Sequence, residues 1–192
     1  MDRYYIESFL KRHSDDIKGR VLEIGDPGYT REFGGSKVER ADVLHAIEGN
    51  PEATIVGDLS TGKGIPRSAF DCMILTQTLL CIYEVREAVA NVYSALKPGG
   101  VLLATFPGIS QISRYDMDRW GDYWRFTTLS AQKMFGNVFP PEMIEVKAHG
   151  NVLVAVSFLH GLATEELTSN ELDFHDPDYE VLITVRAVKP EE

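Results

Sequence analysis

The sequence is short of cysteine, of positive charge and of long apolar runs. Only two cysteines, Cys72 and Cys81, occur in 192 residues. That excludes a disulfide scaffold and a cysteine-rich metal centre, and two buried, reduced thiols are expected instead. No metal-ligand set is read. Lys and Arg total 19 against 29 Asp and Glu, for a formal net charge of −10. A surface of that sign repels phosphate backbones, which argues against a nucleic-acid partner. No apolar run approaches the roughly 20 residues that cross a bilayer, and no charged-then-apolar leader is seen. A cytoplasmic chain without a membrane partner is therefore expected. Internal repeats and low-complexity tracts are also missing.

What is present is an ordinary globular composition, 44% hydrophobic and 25% charged. It suits one domain, residues 1–192, with a sizeable core; its oligomeric state is not written in the pattern. The reading is organised around Val21-Leu22-Glu23-Ile24-Gly25-Asp26-Pro27-Gly28. An apolar run bounded by turn residues reads as a buried strand. A glycine at its end lets the backbone pass close to a ligand, and ligands of open α/β sheets sit beyond the carboxyl ends of the strands. A nucleotide-like cofactor over Gly25–Gly28, with Glu23 reaching part of it, is the first expectation.

Strands are read over 20–24, 38–44, 53–59, 70–76, 101–106, 143–148 and 179–188. Helices are read over 2–13, 84–97 and 129–135, with one helical turn at 30–33 stopped by Gly34-Gly35. Residues 153–162 read as a buried helix or strand, and 60–67 and the acidic 165–178 as loops. Strands alternating with helices argue an α/β sheet around a single core. Residues 109–126 break the pattern. Both tryptophans lie there, mixed with charges and without period, which suggests a binding loop or lid. Its bland alternative is a loop whose aromatics cover the core.

Five pieces follow one another in order: Glu23 two residues before Gly25, Asp42 near the end of the second strand, Gly57-Asp58-Leu59, Phe70-Asp71 through Gln77-Thr78-Leu79, and Leu96-Lys97-Pro98-Gly99-Gly100. Together they resemble the class I S-adenosylmethionine-dependent methyltransferases over residues 20–106. The resemblance implies a Rossmann-like methyltransferase fold, α/β, with helices on both faces. Its seven-stranded sheet would be mostly parallel, with the last strand inserted antiparallel. It implies S-adenosyl-L-methionine as cofactor. Gly25 and Gly28 would then admit the methionine portion, with Glu23 holding that loop or meeting the ammonium. Asp26 would add a contact or cap the turn. Asp42 would accept from the ribose hydroxyls, Asp58 from the adenine amino group, and the Leu59 N–H would face a ring nitrogen. Thr76, Gln77 and Thr78 would sit beside the sulfonium. Two departures stand out: Pro27 replaces the middle glycine of the turn, and the following helix is nearly absent. They favour an alternative, a non-catalytic methyltransferase-like binding or scaffold domain. A nicotinamide-dependent oxidoreductase lacks its G-x-G-x-x-G after the first strand.

The acceptor is expected beyond the fourth and fifth strands, near Gln77–Tyr83 and Ile109–Phe126. Arg114 and Arg125 would clamp an anionic group, and Tyr115, Trp120, Tyr123 and Trp124 would stack on a ring. Asp116 is the favoured catalytic base, with His149 and His160 as rivals and His45 flanking the cofactor. The expected reaction is O-methylation of a small hydroxylated acceptor, sugar-like or a secondary metabolite.

Overall fold

A computed structural model describes residues 1–191. Among them, seven strands form one sheet: β1 (Gly19–Ile24), β2 (Val38–His45), β3 (Ile55–Val56), β4 (Phe70–Thr76), β5 (Leu96–Pro107), β6 (Ile144–His149) and β7 (Leu182–Val188). Their order is β3-β2-β1-β4-β5-β7-β6. The first five pair in parallel, and β7 runs antiparallel to both β5 and β6. This is the expected sheet, with its last strand inserted antiparallel.

The core divides by the two-residue period of the strands. On β4, Met73 and Leu75 point to one face, where α2 (Val85–Ala95) and α4 (Thr128–Gly136) supply Val89, Val92 and Phe135. Cys72 and Ile74 point to the other face. There they meet Tyr5, Phe9 and Leu10 of α1 (Asp2–Arg12), together with Val154 of α5 (Val152–His160) and Leu172 of α6 (Ser169–Asp173). Both faces are covered, which is why β4 reads as a continuous apolar run.

Four expectations change. The third strand shrinks to two residues, because the chain folds back on itself after Val56: a Cβ on Gly57 would lie 2.8 Å from the Lys63 carbonyl oxygen. The Lys97-Pro98-Gly99-Gly100 turn is absorbed into β5 as a bulge, where the β4 partners jump from Leu96 to Val101. The acidic 165–178 stretch holds the short α6, capped by Thr168, whose hydroxyl accepts from the Glu171 N–H. Finally, 153–162 is helical but buried on one side only. Val154 and Ala155 are covered, whereas Val152, Leu153, Val156 and Leu159 are exposed. The expected single helical turn after Gly28 is a π-turn, Thr30–Gly34. Among the described residues no helix is long and apolar enough to cross a membrane.

Candidate active site

A cleft of about 480 Å³ opens over the carboxyl ends of β1, β2 and β4. Its floor begins where β1 ends. Gly25 has φ +84°, a left-handed conformation that L side chains rarely adopt, and a Cβ built there meets nothing within 4 Å because it projects into open space. Two hydrogen bonds fix this turn: the Gly25 N–H donates to the Leu44 carbonyl (3.1 Å), and the Asn50 amide donates to the Gly25 carbonyl (2.6 Å).

Glu23 stands behind the floor and does not line the cleft. Its carboxylate, 4% exposed, accepts from the N–H groups of Tyr29 (3.1 Å) and Thr30 (2.8 Å). Those are orphan donors at the start of a helical turn, so Glu23 splints the shortened segment that replaces a full helix. Burial pushes its carboxyl pKa up, against the pull of these hydrogen bonds. Asp26 accepts from the Gly28 N–H at 2.8 Å and caps the turn in solvent. Asp26 and Gly28 therefore shape the loop without reaching the cleft.

Asp42 requires a correction. It sits three residues before the end of β2, 1% exposed, and its side chain is used elsewhere. Arg20 donates to it at 2.7 Å, Arg40 at 3.0 Å and the Thr54 hydroxyl at 2.9 Å. It is absent from the cleft, where β2 instead presents Leu44, His45 and Ala46. His45 is the polar group at that position. Its Nδ1 lies 2.7 Å from the Ile47 carbonyl oxygen. A carbonyl only accepts, so Nδ1 carries the proton and Nε2 is left as an acceptor. The ring meets Trp120 edge to face, with centroids 5.3 Å apart.

Beside His45, whose carbonyl accepts from the Gly57 N–H at 3.1 Å, the loop after β3 brings Asp58 and Leu59 to the wall. Asp58 accepts from the N–H and hydroxyl of Ser60 (2.8 and 2.7 Å) and from the Thr61 hydroxyl (2.9 Å). Burial alone raises its pKa, and these donors outweigh burial, holding it below the usual carboxylate range. Thr76, Gln77 and Thr78 close the floor beyond β4. Gln77 has φ +48° and donates its N–H to the Thr105 carbonyl at 3.1 Å; a non-glycine in that region is strained backbone of the kind that clusters at functional sites. Cys81 also lines the cleft, but burial and then the charges of Asp116 and Asp122 push its thiol up to about 12. It is protonated at neutral pH and is no nucleophile.

The segment 109–126 forms the roof. It contains α3 (Arg114–Met117), and Asp116, Trp120 and Tyr123 face the cleft. The remaining residues expected there do not. Arg125 is a splint: it pairs with Asp122 and donates to the carbonyls of Gln111 (2.6 Å) and Trp124 (2.9 Å). Trp124 donates its indole N–H to the Ile82 carbonyl (2.9 Å) and packs against the core. Tyr115 is exposed, with the Arg119 guanidinium 3.7 Å above its ring, and Arg114 is exposed outside the cleft. His149 lies at the end of β6, stacked on Tyr5 at 5.5 Å with Nε2 3.1 Å from the Thr184 hydroxyl. Burial pushes it down to about 4, and it is no base for this cleft. Tyr83 lines the cleft at the end of the acceptor stretch read from the sequence, whereas Glu84 beside it escaped notice. Its one signal was an acid directly after that stretch.

Residues 36–104 match the methyltransferase domain family. Among solved structures, an S-adenosylmethionine-dependent methyltransferase from Archaeoglobus fulgidus superposes with a TM-score of 0.62 at 14% identity, over 97% of this chain and 94% of that one. The chain has the fold of the class I methyltransferases. It also superposes on phosphoethanolamine N-methyltransferase 2 of Haemonchus contortus in complex with phosphomonomethylethanolamine and S-adenosylhomocysteine (TM-score 0.61, 17% identity, 97% and 52% coverage). A possible histamine N-methyltransferase from Thermotoga maritima superposes at 0.56, with 13% identity and 97% and 92% coverage. At such identities the likeness is one of fold. No curated protein matches the sequence. The family's cofactor is S-adenosyl-L-methionine, and the cradle at Gly25, which a Cβ would fill, fits a group that needs close backbone approach.

Proposed function

We propose that this methyltransferase, acting as one domain in the cytoplasm, methylates a small hydroxylated molecule on oxygen. The observation that carries the reading is the presence of the Asp116 carboxylate in the same cleft as Gly25, Asp58 and Gln77. Two free cysteines are in keeping with a reducing compartment.

The floor holds the cofactor. Gly25 admits its methionine portion, Asp58 accepts from the adenine amino group, and the Leu59 N–H faces a ring nitrogen. His45 Nε2 accepts from a ribose hydroxyl, the task that Asp42 cannot perform. Thr76, Gln77 and Thr78 surround the sulfonium. When bound, the cofactor supplies a methyl group on sulfur, and transfer forms an O–C bond as the C–S bond breaks. The protein's share is alignment and exclusion of water. The roof residues Trp120 and Tyr123 close the acceptor side, and Asp116 accepts the hydroxyl proton as the oxygen attacks.

Calorimetric titration with S-adenosylmethionine and S-adenosylhomocysteine tests the floor, with micromolar one-to-one binding expected. A methyl-transfer assay on sugars, amines and carboxylic acids tests the acceptor. Transfer to amines or acids and to no hydroxyl would overturn the O-methylation reading.

A further inference from the structure

Two features at the mouth of the cleft are not used by this reading. The first is aromatic. Tyr83 and Tyr123 are 62% and 51% exposed. Their ring centroids lie 5.5 Å apart at 69°, and Tyr83 lies nearly flat on Trp124, at 5.7 Å and 26°. The segment beneath is held by the Tyr123 N–H, which donates to the Leu80 carbonyl, and by the Trp124 indole N–H, which donates to the Ile82 carbonyl, both at 2.9 Å. An apolar ring or a cation is attracted to such aromatic faces.

The second feature is charge. Glu84 and Asp116 line the cleft together with Asp58, and no Lys or Arg side chain lines it with them. The roof's cations lie outside this space: Arg125 is committed to Asp122, Arg119 lies on Tyr115, and Arg114 is exposed away from the lining. An anion entering this space meets carboxylates without a counter-charge, in a region where water screens less than in bulk. An ammonium meets the same carboxylates and two tyrosine faces.

We infer that the acceptor is a hydroxylated ring bearing an ammonium group and no phosphate or carboxylate, stacked on Tyr83 and Tyr123 with its ammonium toward Glu84. The inference rests on the cleft being the methyl-transfer site, and it narrows the acceptor of that site. Glu84 holds the charged handle, and Asp116 stays free to take the proton of the hydroxyl that is methylated. Recognition of an anion by Arg114 and Arg125 is replaced by its opposite.

Both tryptophans of the chain, Trp120 and Trp124, border this mouth, so indole fluorescence reads its occupancy. Protein saturated with S-adenosylhomocysteine is titrated with the methyl glycosides of glucosamine, glucose and glucuronic acid, which share a ring and differ in charge. The amine is expected to bind at least about tenfold more tightly than the neutral sugar, and the acid is expected not to saturate. Added salt should shrink the amine's advantage. Glu84→Gln should bring the amine to the affinity of the neutral sugar while circular dichroism and S-adenosylhomocysteine affinity stay unchanged. The proposal is overturned if the amine does not bind, if the acid binds as tightly as the amine, or if Glu84→Gln leaves the order intact. Calorimetry separates the two levels. Loss of S-adenosylhomocysteine binding removes the methyl-transfer reading itself, whereas normal binding with a preference for the acid removes only the acceptor assignment.

Discussion

Toward the amino-terminal ends of the parallel strands Asp16 meets Arg186 and Asp71 meets Lys97, and in mid-strand Asp42 meets Arg20 and Arg40. At the carboxyl-terminal ends, Asp58, Glu84 and Asp116 face the cleft, and none has a Lys or Arg beside it there. The same chemical group thus serves two purposes. A carboxylate matched to a guanidinium fastens strands together, and one left to hydroxyls, N–H groups and solvent retains acceptor capacity for something else. Pairing with Lys or Arg marks the carboxylates that brace the fold, Asp122 with Arg125 in the roof included, and the carboxylates that line the cleft are without it.

The contrast can be broken most severely at Asp42. Asp42→Ala removes a buried carboxylate and the hydrogen bonds it accepts from Arg20, Arg40 and Thr54, at a cost of about 2–4 kcal/mol. Urea unfolding measures this loss, and S-adenosylhomocysteine affinity of the folded protein should hold within about twofold. Next comes Asp116→Asn, for which kcat should fall by about 100-fold or more if it is the base. The thermal midpoint should shift by no more than about 2 °C. His45→Ala should weaken cofactor binding by about tenfold, the worth of one hydrogen bond with its orientation, and calorimetry reads it. Lys97→Met, at a half-exposed pair, should cost only about 0.5–1 kcal/mol.

Acid sharpens the same comparison. Burial alone raises the pKa of both Asp42 and Asp71. Hydrogen bonds from Arg20, Thr54 and Arg40 in the first case, and from Lys97 and the Arg20 N–H in the second, outweigh it and hold both carboxyls below their usual range. A depressed carboxyl contributes its stability in full above its unfolded pKa of about 4 and loses it as pH falls through the folded value. Urea midpoints should therefore drop steeply from pH 4 to pH 3, and the Asp42→Ala protein should show a flatter decline.

Legibility in the sequence followed the same division. The central strands were readable because β4 and β5 are apolar on both faces, and the turn at Gly25 because a glycine after a buried run has few other reasons to be there. Asp58, Leu59 and Thr76–Thr78, named from their place after the third and fourth strands, line the cleft. Asp42 was misplaced because Arg20, its closest partner, is 22 residues away. Only Arg40, two residues before it on the same strand face, gave a local hint. The extent of the third strand depended on a chain reversal that Gly57 and Gly64 permit at close quarters, and spacing alone does not reveal it. In α5, seven apolar residues in nine positions carry no period that separates its covered side from its bare one.

The insertion of β7 between β5 and β6 has a consequence for how the protein is made. β6 has no partner in the sheet except β7, which is the last of the seven strands to leave the ribosome. Until it does, β5 presents an open hydrogen-bonding edge, and β6 and the helices after it wait outside the sheet. The half that carries the cofactor floor is complete in sequence by Pro107 and needs no later strand for its pairing. Assembly from β1 toward β5 can therefore run ahead of the remainder, which completes the sheet when β7, with β6 paired to it, joins the open edge of β5.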